Sequence, residues 1–396
     1  MTDQEQDELD ELAGPGDGHR MPRWREVFLY FLMLGFINVG GPVAQITMMF
    51  NHMVERRHWL TKDRFVKIMG FCHMLPGPEA LQLAIYVGYL KRGLFGGIVA
   101  GLTFIIPGAI VMVVLSWLYV TYGSLPSVNN ALYILKPAVL GIIAAGVIKL
   151  GRAAIRSVAL GALLVGAFVA MRFAGINFLL ILVVSGLANL LIVEGLPRLR
   201  RARVPMVIAG LGTFLGLGES RYLQIAWLLL KTGALSFGGA YASLIFLQRG
   251  AVDQYHWLTA GQLLDGVALS VATPGPFMLF GTFVGYVAGG VTGAAIATFF
   301  IFLPSFVFVL IGARYVEQVR HNRMVQEALA GVSAAVVGVI LVVSLELVPE
   351  ALVGIPSALI AAAAFLMIVW LKVDVALVAV GGIAGGILYA AARALL

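Results

Sequence analysis

The chain has 396 residues, of which 60% are hydrophobic and 12% charged, and a formal net charge of +7. That balance excludes a soluble domain and requires a polytopic membrane protein. It also disfavours nucleic acid as a partner, because no basic stretch lies outside loops that flank apolar segments.

Residues 1–20 carry seven acids against Arg20 and no apolar core. Residues 1–23 are therefore expected to be a disordered acidic tail, not a signal peptide, which would start basic. The first membrane repeat, 24–195, begins with two interrupted segments, 27–50 and 65–90, and continues with apolar spans near 96–119, 131–149, 157–171 and 176–193. A basic loop and a short linker helix, Val204–Gly218, occupy 196–221. The second membrane repeat, 222–396, ends in matching spans near 291–311, 327–346, 357–371 and 374–392. Cys72 is the only cysteine, so no intrachain disulfide forms.

The chain is one unit written twice. His58-Trp59-Leu60-Thr61 returns as His256-Trp257-Leu258-Thr259, an offset of 198 that also carries Gly40-Gly41 onto Gly238-Gly239 and Pro76-Gly77-Pro78 onto Pro274-Gly275-Pro276. After a one-residue slip, Pro107 falls on Pro304 and Gly141 on Gly338. Loop charge reverses between the copies. Lys149, Arg152 and Arg156 occupy a first-half loop whose counterpart, 347–356, has Glu350 and no base. The uncharged loop at 120–130 matches one carrying Arg314, Arg320 and Arg323. Lys and Arg collect on the cytoplasmic side, so equivalent loops face opposite sides. The fold class is all-α polytopic, with two inverted-topology repeats. The segments 27–50 and 65–90 either span or dip inward and return. The second version keeps Arg23, Arg25, Arg56, Arg57, Lys91 and Arg92 on one side, which favours re-entrant or broken helices.

Pro76-Gly77-Pro78 cannot continue a helix, since two of its residues lack an amide proton. Such a break is tolerated at membrane depth only beside protein or a water-filled cavity. A helix restarting at Pro78, with proline at its first position, offers the N–H groups of Glu79, Ala80 and Leu81. A second, after Pro276, offers those of Phe277, Met278 and Leu279. Gly40-Gly41-Pro42 and Gly238-Gly239 add two more breaks. Helix starts converging from inverted halves suit an anion, each contributing about 0.3–2 kcal/mol. Asn38, Gln82, Ser236 and Thr273 are candidate hydrogen-bond donors to it. Lys231, on the helical face of the second break, and Lys136, within an apolar span, are candidate cationic partners. Glu79 is the one carboxylate beside a break; it either caps its own helix or serves as proton carrier, because it competes with a bound anion until protonated. Asp265 matches Lys67 and is expected at a membrane edge, and His58 and His256 with their tryptophans at the interface. Cys72 and His73 read as packing residues. No metal or other cofactor is called for. Nothing supports catalysis or ATP-driven transport either, since no nucleotide loop, Ser/His/Asp arrangement or carboxylate pair is present.

These motifs resemble the chromate transporter (CHR) family in its long, two-domain form. The likeness rests on Gly40-Gly41-Pro42 with Gln45, His58-Trp59-Leu60, Leu75-Pro76-Gly77-Pro78-Glu79-Ala80 and Gln82-Leu83-Ala84. In the second half it rests on Lys231-Thr232-Gly233-Ala234, Phe237-Gly238-Gly239-Ala240 and Thr273-Pro274-Gly275-Pro276. Val39 and Val271-Ala272 depart from the family pattern. The resemblance implies a bacterial inner-membrane exporter of chromate driven by the proton motive force, with the oxyanion, protons and the lipid bilayer as partners. Sulfate transport or exchange, a gated anion channel and a homodimeric state stay open.

Overall fold

The computed structural model describes residues 21–39, 42–123, 126–194, 220–237, 239–312 and 323–395. The expected acidic tail and linker helix lie outside the described residues, as do Arg314 and Arg320. Helices account for the regular structure, and no strand occurs among the described residues.

Each half opens with two helical hairpins. In the first, α1 (Trp24–Ile37) and α2 (Pro42–Phe50), which runs on as a π-helical turn Asn51–Arg56, fold back on each other. The Tyr30 ring stacks on His52 at 3.8 Å, and the Tyr30 hydroxyl donates to Met48 O at 3.4 Å. The next hairpin pairs α3 (Lys62–Cys72) with the first arm of α4 (Glu79–Tyr122), and Phe71 meets Tyr86 across it at 5.1 Å. Its tip is Pro76-Gly77-Pro78.

The repeated His-Trp-Leu-Thr motif joins the two hairpins, and its residues have local tasks. His58 and His256 take left-handed conformations (φ 49° and 51°), and the Thr61 and Thr259 hydroxyls accept the Arg64 and Gln262 N–H groups as helix caps. The expected interfacial role for the tryptophans does not hold for Trp59, which is 2% exposed and packs edge-on against Tyr30 and His52.

Helix α4 is not one rod. Arg92 (φ −146°, ψ 22°) and Gly93 (φ 64°, ψ −162°) reverse the chain, so the arm 79–91 lies antiparallel along 94–122. Gly88 accordingly abuts Gly96 and Ala100. In a straight helix, eight residues of separation would hold Gly88 and Gly96 about 12 Å apart.

The second half repeats every step. Helix α8 (Arg221–Leu235) folds onto α9 (Ala242–Leu247), which continues as a π-helical turn Gln248–Gln254, and Leu228 meets Gly250 where Tyr30 met His52. Helix α10 (Ala260–Ala272) leads through Pro274-Gly275-Pro276 and a 3-10 turn, Phe277–Leu279, into α11 (Phe280–Leu310), which reverses at Gly289 and Gly290. Gly285 abuts Gly293 and Ala297 there.

The long arms of α4 and α11 pack against each other in opposite directions, with Gly97 against Leu310 and Gly101 against Phe306. Equivalent membrane helices that run antiparallel place their two-fold axis in the membrane plane, which is what inverted repeats require.

The remaining helices interlock the halves. Helix α5 (Pro126–Ala154) is followed by α6 (Val158–Ala174) and α7 (Phe178–Glu194). Helix α12 (Arg323–Glu346) is followed by a short α13 (Val348–Ala351), α14 (Ile355–Val369) and α15 (Val375–Leu395). α5 packs on α14 and α15 of the other half, and α12 on α6 and α7. Gly141 meets Ala361 as Gly338 meets Leu164, an exchange related by the repeat offset.

Among the described residues, five helices are long and apolar enough to cross a membrane, while α6, α7, α10 and α14 are apolar but shorter. Large apolar chains such as Phe95 (72% exposed), Val158 (92%) and Trp370 (76%) point outward, as a lipid-facing surface demands.

Gly88→Leu inserts a branched side chain where the two arms of α4 touch, and should cost about 1–3 kcal/mol in overpacking. Gly166→Leu, at a position with nothing within 4 Å, is the control. Thermal stability of the detergent-purified variants checks this; equal melting of the two would contradict the hairpin.

Candidate functional site

The hairpin tips meet in reciprocal pairs. The Gly77 N–H donates to Ser236 O at 3.0 Å, and the Gly275 N–H donates to Asn38 O at 2.8 Å. Each Pro-Gly-Pro tip of one half is thus bonded to the first hairpin tip of the other, at positions related by the repeat offset. Gly77 (φ 113°) and Gly275 (φ 109°) adopt a conformation that side chains rarely tolerate, which is why glycine stands between the prolines. The Gln45 side chain donates to Gly275 O at 3.0 Å, and Gln82 Nε2 donates to Pro76 O at 2.6 Å. Ser305 from α11 sits against Gly77, and Gly108 at the equivalent place in α4 sits against Pro274.

Asn38, Gln45, Thr273, Pro274, Gly275 and Pro276 are therefore brought together at one tip pairing, and Pro76, Gly77, Pro78, Gln82 and Ser236 at the other. Gly239 joins the latter, with Glu79 Oε1 4.0 Å from where its Cβ would stand. Tyr241 reaches the other helix start, its ring 4.8 Å from Phe277. Gly40, Gly41 and Gly238 lie outside the described residues, and Pro42 is described only as the first residue of α2.

The helix starts differ in detail from expectation. Pro78 is the cap of α4 and not its first helical residue, with φ −78° and ψ 107°. The first helical acceptor bond is Gln82 N–H to Pro78 O at 3.1 Å, so the N–H groups of Glu79, Ala80 and Leu81 have no acceptor within the helix. After Pro276 the chain tightens into the 3-10 turn, and the Leu279 N–H is already bonded to Pro276 O at 3.0 Å. Phe277 and Met278 alone remain there. The two starts are unequal, and the first is the richer donor.

The polar side chains also separate. Asn38 is wholly buried, and neither its Nδ2 nor its Oδ1 has a hydrogen-bond partner among the described residues. Gln82 Oε1 and Ser305 Oγ share that condition. A buried, unpaired amide is expensive unless a ligand or water completes it. Ser236 and Thr273, expected as donors, instead give their hydroxyl protons to Thr232 O at 2.5 Å and Leu269 O at 2.6 Å.

Glu79 does not cap its own helix. Its Oε2 lies 2.9 Å from His73 Nδ1, with side-chain exposures of 23% and 45%. The expectation of a mere packing role for His73 is corrected here: the tip turns the chain so that positions six apart face each other. Ser305 was not anticipated either. The only sequence signal for it is that a hydroxyl replaces Gly108 at the matching place.

Two expected cations sit elsewhere. Lys231 lies over the Trp227 ring at 5.3 Å and lines a cavity of about 420 Å³ shared with Asn177, Arg249 and Glu346. That cavity opens beside the α6–α7 turn, up the hairpin from its tip. Lys136 Nζ is 3.2 Å from Asp265 Oδ1, and Asp265, far from lying at an exposed edge, is 3% exposed within α10. Among the described residues, no group of three or more His, Cys, Asp or Glu side chains is placed to hold a metal ion.

Among the described residues, the tip contacts thus present backbone donors, the uncommitted Asn38 carboxamide and the Glu79–His73 pair. The chromate transporter family model matches residues 25–190 and again 223–387. A chromate transport protein of Pseudomonas aeruginosa is 34% identical over 84% of this chain and 83% of its own length. One from Cupriavidus metallidurans is 30% identical over 89% and 90%. A probable chromate transport protein of Synechococcus elongatus is 30% identical over 85% and 87%. No solved structure matches. With a family match in both halves, placed on copies that run antiparallel, this chain belongs to the chromate transporter family and is a multi-pass protein of a bacterial membrane.

Proposed function

We propose that the protein is a secondary active transporter that exports a tetrahedral oxyanion, chromate first, at the expense of the proton motive force. The observation that carries this reading is the reciprocal bonding of Gly77 to Ser236 and of Gly275 to Asn38. It sets the unengaged amides of Glu79–Leu81 at one contact between the two inverted halves and the orphaned Asn38 carboxamide at the other. Those groups are donors, and donors at a helix start favour negative charge. Inverted halves give the anion two mirror-related exits, the requirement for alternating access.

Energetics favour the outward direction. An inside-negative potential of 100 mV contributes about 2.3 kcal/mol per charge, so roughly 4.6 kcal/mol drives a dianion out before any proton is used. Uptake would have to overcome that term. Coupling to protons has a local rationale in Glu79. Ionised, it repels an anion at the same helix start; protonated, it leaves the three amides to the substrate. Glu79 thus sends one proton out with each dianion, and the inside-negative potential, the electrical part of the proton motive force, still drives the remaining negative charge out. His73, 2.9 Å away and more exposed, is placed to pass the proton between Glu79 and water. Chromate leads because three similar proteins carry it in their names. Sulfate presents the same tetrahedral charge, and the tip geometry favours neither.

Flux in proteoliposomes separates this reading from a gated channel. A transporter saturates with chromate and responds to an imposed pH gradient at zero voltage, whereas a channel follows the anion gradient and voltage alone. Glu79→Gln should lower pH-driven chromate flux at least about ten-fold while sparing exchange without a gradient; unchanged pH-driven flux would remove the proton-carrier role. Asn38→Ala, which deletes a donor to a charged ligand worth about 1.5–3 kcal/mol, should raise the KM for chromate about ten-fold or more. An unaltered KM would take Asn38 out of the binding site.

A further inference from the structure

The pseudo-two-fold symmetry fails at one buried cluster. Asp265 Oδ1 lies 3.2 Å from Lys136 Nζ on α5, and Asp265 Oδ2 accepts from the Tyr119 hydroxyl on the long arm of α4 at 2.8 Å. Glu350 on α13 reaches the same place, with Oε2 2.6 Å and Lys136 Nζ 3.8 Å from where a Cβ on Gly261 would stand. The charged and titratable groups facing Asp265 are thus Lys136, Tyr119 and Glu350. At the mirror position Lys67 replaces Asp265 and is exposed, and Ser333 replaces Lys136. The other half therefore folds and packs without this pair, so the cluster is not a requirement of the architecture. Charges inside a membrane protein are costly, and when folding does not need them they mark ion or proton pathways.

We infer that Asp265 is a second proton-binding site, distinct from Glu79, whose occupancy locks or releases the Pro274-Gly275-Pro276 tip. The inference rests on the proton-driven reading above. Ionised, Asp265 is held by Lys136 and Tyr119, and α10 is tied to α5 and α4. A proton on Asp265 cancels the attraction to Lys136 and frees the helix. Helix α10 runs without interruption from Asp265 to Ala272, and eight residues of helix carry that change about 12 Å to the tip. There Gly275 holds Asn38 and Gln45, so release at one end loosens the anion site at the other. One carboxylate takes one proton.

Purified full-length protein in proteoliposomes containing a pH-sensitive dye tests this, with chromate flux and luminal pH recorded together. Asp265→Asn should still move chromate down its own gradient, but with one proton fewer per anion than wild type. Tyr119→Phe keeps the carboxylate and removes its hydrogen bond, so the pH midpoint of transport should move upward by about one unit. A purely structural role would leave that midpoint in place. Should Asp265→Asn fail to yield folded protein, the Tyr119→Phe midpoint decides alone. An unchanged proton-to-chromate ratio in Asp265→Asn, or an unmoved midpoint in Tyr119→Phe, overturns the inference while the proton-driven reading stands. If wild-type protein moves chromate with no proton at all, that reading falls and takes this one with it.

Discussion

A peptide N–H or C=O inside a bilayer has no water to turn to, so every break in a helix must be repaired by protein. That constraint organises the molecule. Two Pro-Gly-Pro tips interrupt helices at depth, and each is repaired by a carbonyl from the opposite half, Ser236 O for Gly77 and Asn38 O for Gly275. The glycine N–H of each tip is bonded by the other half. The halves are therefore bound together where their backbones are most irregular, and groups are left over at both contacts, the amides of Glu79–Leu81 beside the Gly77 tip and the Asn38 side chain beside Gly275. The binding site proposed for negative charge rests on this incomplete repair.

The wider packing supports the junction without entering it. Small residues at Gly88 and Gly96, and at Gly285 and Gly293, let each re-entrant arm lie close along its own long helix. Exchange of α5 and α12 across the halves means that motion of one copy against the other must repack interfaces on both sides. Alternating access, as proposed above, would therefore require the interlocked pair to switch between discrete arrangements.

Much of this was legible in the residues. The doubled His-Trp-Leu-Thr, Gly-Gly and Pro-Gly-Pro motifs locate the repeat, the loop charges orient it, and the prolines mark the breaks, because each signal is local and has one physical meaning. What escaped was tertiary. Whether 65–90 crosses or turns back depends on Gly93, which reverses α4 within a stretch whose apolar composition reads as continuous. His73 gains its role only because the tip folds it onto Glu79. Lys136 and Asp265, 129 residues apart in sequence, are read separately until α10 is laid against α5. Ser236 and Thr273 look like ligands from their positions, but their hydroxyls are spent on their own helices.

Where the two copies differ is as informative as where they agree. Glu79 faces Phe277 across the symmetry, Gln82 faces Phe280, and the second helix start has lost one amide to a 3-10 turn. The copies share a scaffold, and the first carries most of the polar equipment at the tips. The most direct measurement is the position of chromate bound to purified protein in a cryo-EM map. Density at the tip contacts, within hydrogen-bonding distance of the Glu79–Leu81 amides or of Asn38 Nδ2, is the predicted result. Density confined to the Lys231 and Arg249 cavity, with the tips unchanged by ligand, would contradict the account.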